Sequence, residues 1–254
     1  MGIARLFSAC TSGSQGIGYA YEAIKYGHQD LMVAGGAEEL CATEAAVFDT
    51  LYATSTRNGA PQLTPRPFDR DRDGLVIGEG ACALILEERQ HALARGASIH
   101  AEIAGFATNS DGSHVTQPEA ETMYRAMAQA LENAGLAPRD VGYISAHGTA
   151  TERGDIAESQ ATYRLFGGTT PISAFKSFTG HTLGACGALE AMVAIEMMKR
   201  GWFHPTANLD NPDDNCAPLD YIREHGREMA VECVMSNNFA FGGINTSLLF
   251  VRGD

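Results

Sequence analysis

The chain has 254 residues, 44% hydrophobic and 19% charged, with 28 glycines, which suits a packed α/β protein of one large or two small domains and excludes a disordered chain. Its formal net charge of −13 argues against nonspecific binding to nucleic acid or an anionic membrane, and an acidic partner would need a local basic patch. The six cysteines (Cys10, Cys41, Cys82, Cys186, Cys216 and Cys233) are scattered without a CxxC pair, so neither a disulfide framework nor a metal site is expected and a reducing cytoplasm is the expected location. The opening MGIARLFSACTSG lacks the apolar core of a signal peptide, and no apolar run is long enough to span a membrane.

Strand and helix signals alternate. Residues 12–26 read as a helix stopped by Gly27, 30–35 as a short buried strand, and 42–53 as a helix. The Pro-, Arg- and Asp-rich stretch 54–74 reads as a long ordered loop. Strands follow at 81–87 and 99–107, with a helix at 88–95 between them. A second series has an amphipathic helix at 119–134 stopped by Gly135, a strand at 141–146, a helix at 154–166, a strand at 171–174 and a long helix at 182–200. Strands at 230–237 and 244–251 close the chain around Gly242 and Gly243. This order predicts a mixed, mostly parallel sheet covered by helices.

Four segments carry candidate chemistry. In SACTSGSQGIG, Cys10 stands at the start of a helix, whose free amides favour the reactive thiolate. Taken alone, a single cysteine is more often a buried structural residue. In SAHGTATERGD, His147 follows a buried strand, and Thr149 and Thr151 offer two hydroxyls on one side of an extended turn. Asp155 and Glu158 also suit simple first-turn helix acids. In AFKSFTGHTLGACG, Lys176 follows an apolar strand, an expensive place for an ammonium unless it is paired. His181 is placed at the start of the long helix, where it should stay neutral and donate a hydrogen bond. In MSNNFAFGGINTSLLF, Asn237 through Phe241 lead into two glycines, either as an ordinary hairpin or as a backbone amide presented beside the nucleophile with phenyl rings as walls. A cysteine, two histidines and a lysine, each near glycine at an element junction and far apart in sequence, make a nucleophile-and-donors set assembled by the fold.

All four segments, in order, resemble the β-ketoacyl-acyl carrier protein synthases of the thiolase-like fold. VAGGAEELC (33–41), DRDRDGLVIGEG (69–80) and LARGASIHAEIAGFATNSDG (93–112) look like the elongating type I/II group, nearer to type I. The resemblance implies an α/β fold of mixed, mostly parallel sheets layered with helices. Residues 1–96 would be the remainder of the N-terminal half and 97–254 the C-terminal half. It implies decarboxylative Claisen condensation of an acyl group on Cys10 with a malonyl thioester, in fatty-acid or related biosynthesis. Cys10, His147, His181 and Lys176 match the catalytic set, and Glu190 the acid near the lysine. The amides of Cys10 and Phe241 match the oxyanion hole, with Phe241 also the gate. Thr149 and Thr151 match the threonines that bind the phosphopantetheine arm, Phe239 and Phe241 match the aromatic pair near the acyl pocket, and Asp155 and Glu158 are supporting acids. The implied partners are an acyl carrier protein, which brings the phosphopantetheine, and a second copy in a homodimer; no cofactor of the chain's own is implied.

A degradative thiolase would carry a second reactive cysteine where this chain has NNFAFGG. An initiating synthase uses Cys, His and Asn, where this chain has His181. A chain-length-factor-like subunit would lack the nucleophile. Glu152 and Arg153 depart from the smaller or apolar residues expected between Thr151 and Gly154. The resembled proteins also carry a long segment before the active-site cysteine, where nine residues stand here. The chain is therefore expected to be a fragment, incomplete at the N-terminus, with half of a split enzyme as an alternative. It is expected to be poorly stable or aggregating alone, because missing strands expose sheet edges. A noncatalytic remnant or interaction subunit is the second functional reading.

Overall fold

The computed structural model describes residues 6–253; the first five residues of the proposed 1–96 half lie outside the described residues. A single 3-10 turn at Ala9–Thr11 leads into α1 (Ser12–Lys25), then β1 (Leu31–Glu38), α2 (Ala42–Thr50), β2 (Gly80–Glu87) and α3 (Arg89–Ala94). The second series runs β3 (Ala101–Ser110), α4 (Ala120–Ala134), β4 (Tyr143–Ser145), α5 (Glu152–Phe166), β5 (Pro171–Ser173), α6 (Lys176–Thr179) and α7 (Cys186–Arg200). It closes with β6 (Trp202–Phe203), β7 (Asp220–Tyr221), β8 (Arg227–Glu228), β9 (Cys233–Phe239) and β10 (Ile244–Arg252).

The main sheet has six strands in the order β3-β10-β9-β4-β5-β7. Its β3–β10 and β10–β9 pairs are antiparallel, and β9–β4, β4–β5 and β5–β7 are parallel. The fold is therefore mixed α/β as expected. Among the described strands, parallel pairing is confined to this sheet, since the two-stranded ladders β1–β2 and β6–β8 are antiparallel; two isolated parallel bridges, Thr54–Leu75 and Ile77–His181, lie outside it.

Strand alternation divides the core. Ala107, Ile144, Met235 and Leu249 face one way and pack on Met123, Met127, Ala130 and Leu131 of α4 and on Ala157 and Ala161 of α5. Their neighbours Phe106, Tyr143, Val234, Leu248 and Phe250 face the other way. They pack on Ile17 and Ala20 of α1 and on Ala188, Ala191, Ala194, Met197 and Met198 of α7. Ala34 of β1 and Leu86 of β2 cover the far side of that helix pair. The layers are thus helices, main sheet, helices and small ladder. On the outer face of the ladder the facing pair Val33 and Ile85 is exposed.

Small residues let α1 and α7 cross closely: a Cβ on Gly187 would lie 2.8 Å from the Ser14 backbone nitrogen. This crossing brings the start of α1 to the start of α7. The long helix starts at Cys186 rather than at the expected 182, because Leu183, at a φ of 42°, opens a separate 3-10 turn over Leu183–Ala185, just after His181 pairs with the chain at 76–78. The His181 amide donates to Val76 O at 2.7 Å, and its carbonyl accepts from Gly78 N–H at 3.0 Å. The strands at 202–203, 220–221 and 227–228 were not expected from the sequence, since two residues display no periodicity.

Gly18 of α1 faces the buried ring of Phe106, and an added Cβ would lie 2.1 Å from it. Alanine normally improves a helix interior by about 1 kcal/mol over glycine. Here overpacking should outweigh that gain, so Gly18→Ala is expected to destabilise the chain by about 1–3 kcal/mol. Adding Phe106→Leu should recover part of the loss. Urea midpoints measure both, and a Gly18→Ala midpoint at or above the parent's refutes the close packing.

Candidate active site

Cys10 lies in the 3-10 turn that enters α1 and is 2% exposed. The turn is fixed by its own hydroxyls. Thr11 Oγ1 donates to Ser8 O at 2.8 Å, Ser12 Oγ donates to Ala9 O at 2.8 Å, and Ser12 Oγ accepts from Ser8 N–H at 3.0 Å. Ala9 takes the strained left-handed φ of 50°, a cost of order 1–3 kcal/mol that the surrounding bonds sustain. The sulfur points into a cavity of about 330 Å³ lined also by His147, Thr149, Thr151, Glu158, His181, Phe239 and Phe241.

His181 Nε2 stands 3.0 Å from Cys10 Sγ. Its other nitrogen, Nδ1, accepts the Leu183 amide at 3.1 Å. A neutral ring wired this way carries its proton on Nε2, facing the sulfur. His147 is wired the same way by a different group. The Lys176 ammonium donates to His147 Nδ1 at 3.0 Å and to the His147 carbonyl at 2.7 Å. That leaves Nε2–H of His147 buried and, among the described residues, without a partner. The two rings meet edge-on, 5.3 Å between centroids. By distance alone Cys10, His147 and His181 could gather around one cation. The wiring instead presents N–H donors where a metal needs lone pairs.

Burial holds both histidines well below the usual imidazole pKa, with the Lys176 charge adding to it at each. His181 is thus neutral as expected, but because of burial and Lys176, since it does not stand in the first turn of α7. The expectation of a thiolate at Cys10 is overturned. Burial pushes the thiol up to about 11, while Lys176 and the backbone amides of Phe241 and Cys10 pull it down by less.

Lys176 does not reach the cavity. It is 2% exposed, behind His147, and its third bond goes to Glu190 Oε1 at 2.5 Å. Burial works against its charge, but Cys186 and Glu190 outweigh that and its pKa is raised. Lys176 and Glu190 are accordingly positioning residues for His147. Asn238 was not singled out for this role from sequence, yet its amide donates to Glu190 Oε2 at 2.7 Å. Cys186 was likewise missed: its thiol donates to the Cys10 carbonyl at 3.3 Å. No sequence signal marks it, because the contact depends on the α1–α7 crossing.

The loop from His147 to Thr151 is pinned by α5. Glu158 accepts the amides of His147 and Gly148 at 2.7 and 2.8 Å. Asp155 accepts those of Thr149, Ala150 and Phe68 at 3.1, 3.2 and 2.7 Å. Burial pushes Glu158 up to about 8 and Asp155 to about 6. Arg72, from the DRDRDG stretch, backs Asp155 at 3.6 Å and Asp213 at 2.6 Å. Thr149 and Thr151 join hydroxyls at 2.8 Å on the cavity wall. Phe239 sits 6.2 Å from the His147 ring, and Phe241 rests against Phe48 at 5.7 Å. Gly242 and Gly243 at φ 86° and 76° turn the chain back into β10. Cys10, both histidines, both threonines and both phenylalanines therefore share one cavity.

Two family models match the chain. "Beta-ketoacyl synthase, N-terminal domain" covers residues 5–92, and "Beta-ketoacyl synthase, C-terminal domain" covers residues 100–210. The chain is 42% identical over 254 residues to 3-oxoacyl-[acyl-carrier-protein] synthase 2 of Coxiella burnetii, a match that takes in 97% of this chain and 61% of that protein. A crystal structure of a β-ketoacyl synthase from Burkholderia phymatum STM815 superposes with a TM-score of 0.96 at 67% identity, over 97% of this chain and 60% of that one. A type II polyketide ketosynthase solved with its acyl-carrier protein, bound to the hexaketide, gives 0.96 at 37% identity, over 100% of this chain and 64% of that one. The chain thus spans about three fifths of the length of the proteins it matches.

The raised Cys10 pKa has a direct readout. Only the thiolate is alkylated at an appreciable rate. The rate of iodoacetamide addition to Cys10 should therefore climb about tenfold per pH unit from pH 7 to 9 with no plateau, because the thiol titrates at about 11. Peptide mass mapping of Cys10 follows the rate, and a plateau below pH 9 contradicts the burial argument.

Proposed function

The chain belongs to the β-ketoacyl synthase family, and we propose that it carries out decarboxylative Claisen condensation. The substrates are an acyl thioester and a malonyl thioester delivered on an acyl carrier protein, and the product is a 3-oxoacyl thioester for fatty-acid or related biosynthesis. The observation that carries this reading is the pair of neutral Nε2–H donors, from His147 and His181, gathered with the Cys10 sulfur within 4.8 Å at one cavity.

In the first half-reaction Cys10 Sγ attacks the acyl carbonyl. The tetrahedral oxyanion meets the amides of Cys10 and Phe241, the carrier's thiolate leaves, and the cysteine's proton goes to it. The malonyl thioester then enters along Thr149 and Thr151. Its C–C bond to the carboxylate breaks, CO2 departs, and the electron pair becomes an enolate whose oxygen accepts from His147 and His181. Donors aimed where charge develops are worth roughly 3 kcal/mol each. The enolate carbon attacks the acyl carbonyl on Cys10. The second oxyanion uses the same amides, and collapse releases the Cys10 sulfur, which regains a proton. Decarboxylation supplies the carbanion, so the reading needs no metal or cofactor of the chain's own. It also takes residues 1–96 and 97–254 as the two halves of the fold, a homodimer as the working form and the cytoplasm as its place.

The test is incubation with an acyl-carrier thioester, mass spectrometry of the Cys10 peptide, then addition of malonyl-carrier thioester. Acyl-Cys10 and a malonyl-dependent 3-oxoacyl product are expected, both lost in Cys10→Ala. His147→Ala should lower condensation about 100-fold. Condensation surviving in Cys10→Ala would falsify the assignment. A folded protein with no acyl-Cys10 would instead support a noncatalytic subunit.

A further inference from the structure

Arg153 lines the same cavity as Cys10, Thr149 and Thr151. It is exposed, and among the described residues it makes no hydrogen bond or ion pair. The other cation on the cavity wall is engaged: Arg72 pairs with Asp155 and Asp213 and donates to Thr151 O and Glu152 O. Of the wall's carboxylates, Asp73 takes Ser55, Thr56 and Arg57, and Glu158 takes two amides. The Glu152 carboxylate, next to Arg153, is exposed and, among the described residues, has no partner, and adjacent helical positions do not face each other. Arg153 also stands in the first turn of α5, where the helix dipole disfavours a cation. In a chain of net charge −13, an anion reaching this cavity needs a local cation.

We infer that Arg153 is a specificity-determining residue of the cavity mouth and that its ligand is the phosphodiester of the phosphopantetheine arm. This rests on the condensing reading above. The arm's sulfur end must reach Cys10, and its chain passes the joined hydroxyls of Thr149 and Thr151. α5 begins directly after Thr151 and carries Arg153 on its exposed first turn. The group at the arm's far end from sulfur is the phosphate, and a planar guanidinium matches phosphate oxygens in pairs.

The test compares three alkylators of Cys10 on the chain as it stands: iodoacetamide, chloroacetyl pantetheine amide, and its 4′-phosphate. In the last two, Sγ displaces chloride from the chloroacetyl carbon to form a thioether, and the thiol proton leaves to solvent. Second-order labelling constants at low salt should favour the phosphorylated probe over the unphosphorylated one by about 3- to 10-fold. That ratio should fall to about one in Arg153→Ala, stay above one in Arg153→Lys, and shrink with added salt. The ratio is internal to each variant, so a misfolded sample does not mimic the result. A ratio of one in the parent chain overturns the inference, as does a ratio unaltered by Arg153→Ala. An Arg153 effect seen only with an intact carrier protein moves the contact to that protein's carboxylates and overturns the phosphate assignment. If neither pantetheine probe is enhanced over iodoacetamide relative to their rates with free cysteine, the condensing reading itself fails and takes this inference with it.

Discussion

The site depends on one buried ammonium. Lys176 has three protons to place in an interior where an unpaired charge is prohibitive. The structure supplies three acceptors: Glu190 Oε1, the His147 carbonyl and His147 Nδ1. Because one of them is a ring nitrogen, satisfying the lysine also sets the tautomer of His147. Its Nε2–H then has nowhere to point but the cavity. Removing Glu190 alone would leave the ammonium uncompensated, at a cost of about 3–5 kcal/mol. The pair is therefore weak evidence for stability and strong evidence for orientation.

The same charge acts on three titrating groups at once. It adds to burial in keeping His147 and His181 neutral, and it opposes burial at Cys10. An imidazolium beside the thiol would make the cysteine a standing thiolate but would consume the donor role of the ring. The arrangement here chooses the donors. Cys10 rests as a thiol, because Lys176 and the amides of Phe241 and its own residue pull its pKa down by less than burial raises it. His181 is fixed by a backbone amide, Leu183 N–H, in place of a cation, and its Nε2 faces the Cys10 sulfur.

Much of this was legible in the sequence because the chemical residues stand at element junctions, His147 and His181 directly beside glycine and Cys10 just ahead of Gly13. Cys10, His147 and His181 could be picked out that way, and their resemblance to one family joined them. The electrostatics were less legible. The helix-start argument for a Cys10 thiolate considered only local amides, while burial is a property of the whole packed layer around α1 and α7. The early boundary placed on α7 failed for a similar reason. Gly180 to Gly184 has a composition that permits helix, but the backbone of His181 is tied to Val76 and Gly78, more than a hundred residues away. Cys186 reads as one more small apolar residue in a helix. Only the crossing permitted by Gly187 brings its sulfur to the Cys10 carbonyl.

The loop between His147 and Thr151 shows how a helix can build a site from behind. Gly148 and Ala150 both take positive φ, 45° and 63°, and such a turn directs successive amides to one side. Asp155 and Glu158, three residues apart on one face of α5, collect four of them. With the amides consumed inward, the ring of His147 and the hydroxyls of Thr149 and Thr151 are left to the cavity. Burial raises both carboxyl pKa values; Arg72 and the amides resist it at Asp155, and the Gly148 and His147 amides with Lys176 resist it at Glu158, where Asp155 adds to the rise. The buried face of α5 thus holds the His147 loop, while Glu152 and Arg153 at its exposed start line the same cavity. Any shift of this helix would move the His147 loop, the joined hydroxyls of Thr149 and Thr151, and Arg153 together, whereas His181, tied to Val76, Gly78 and Leu183, would stay behind.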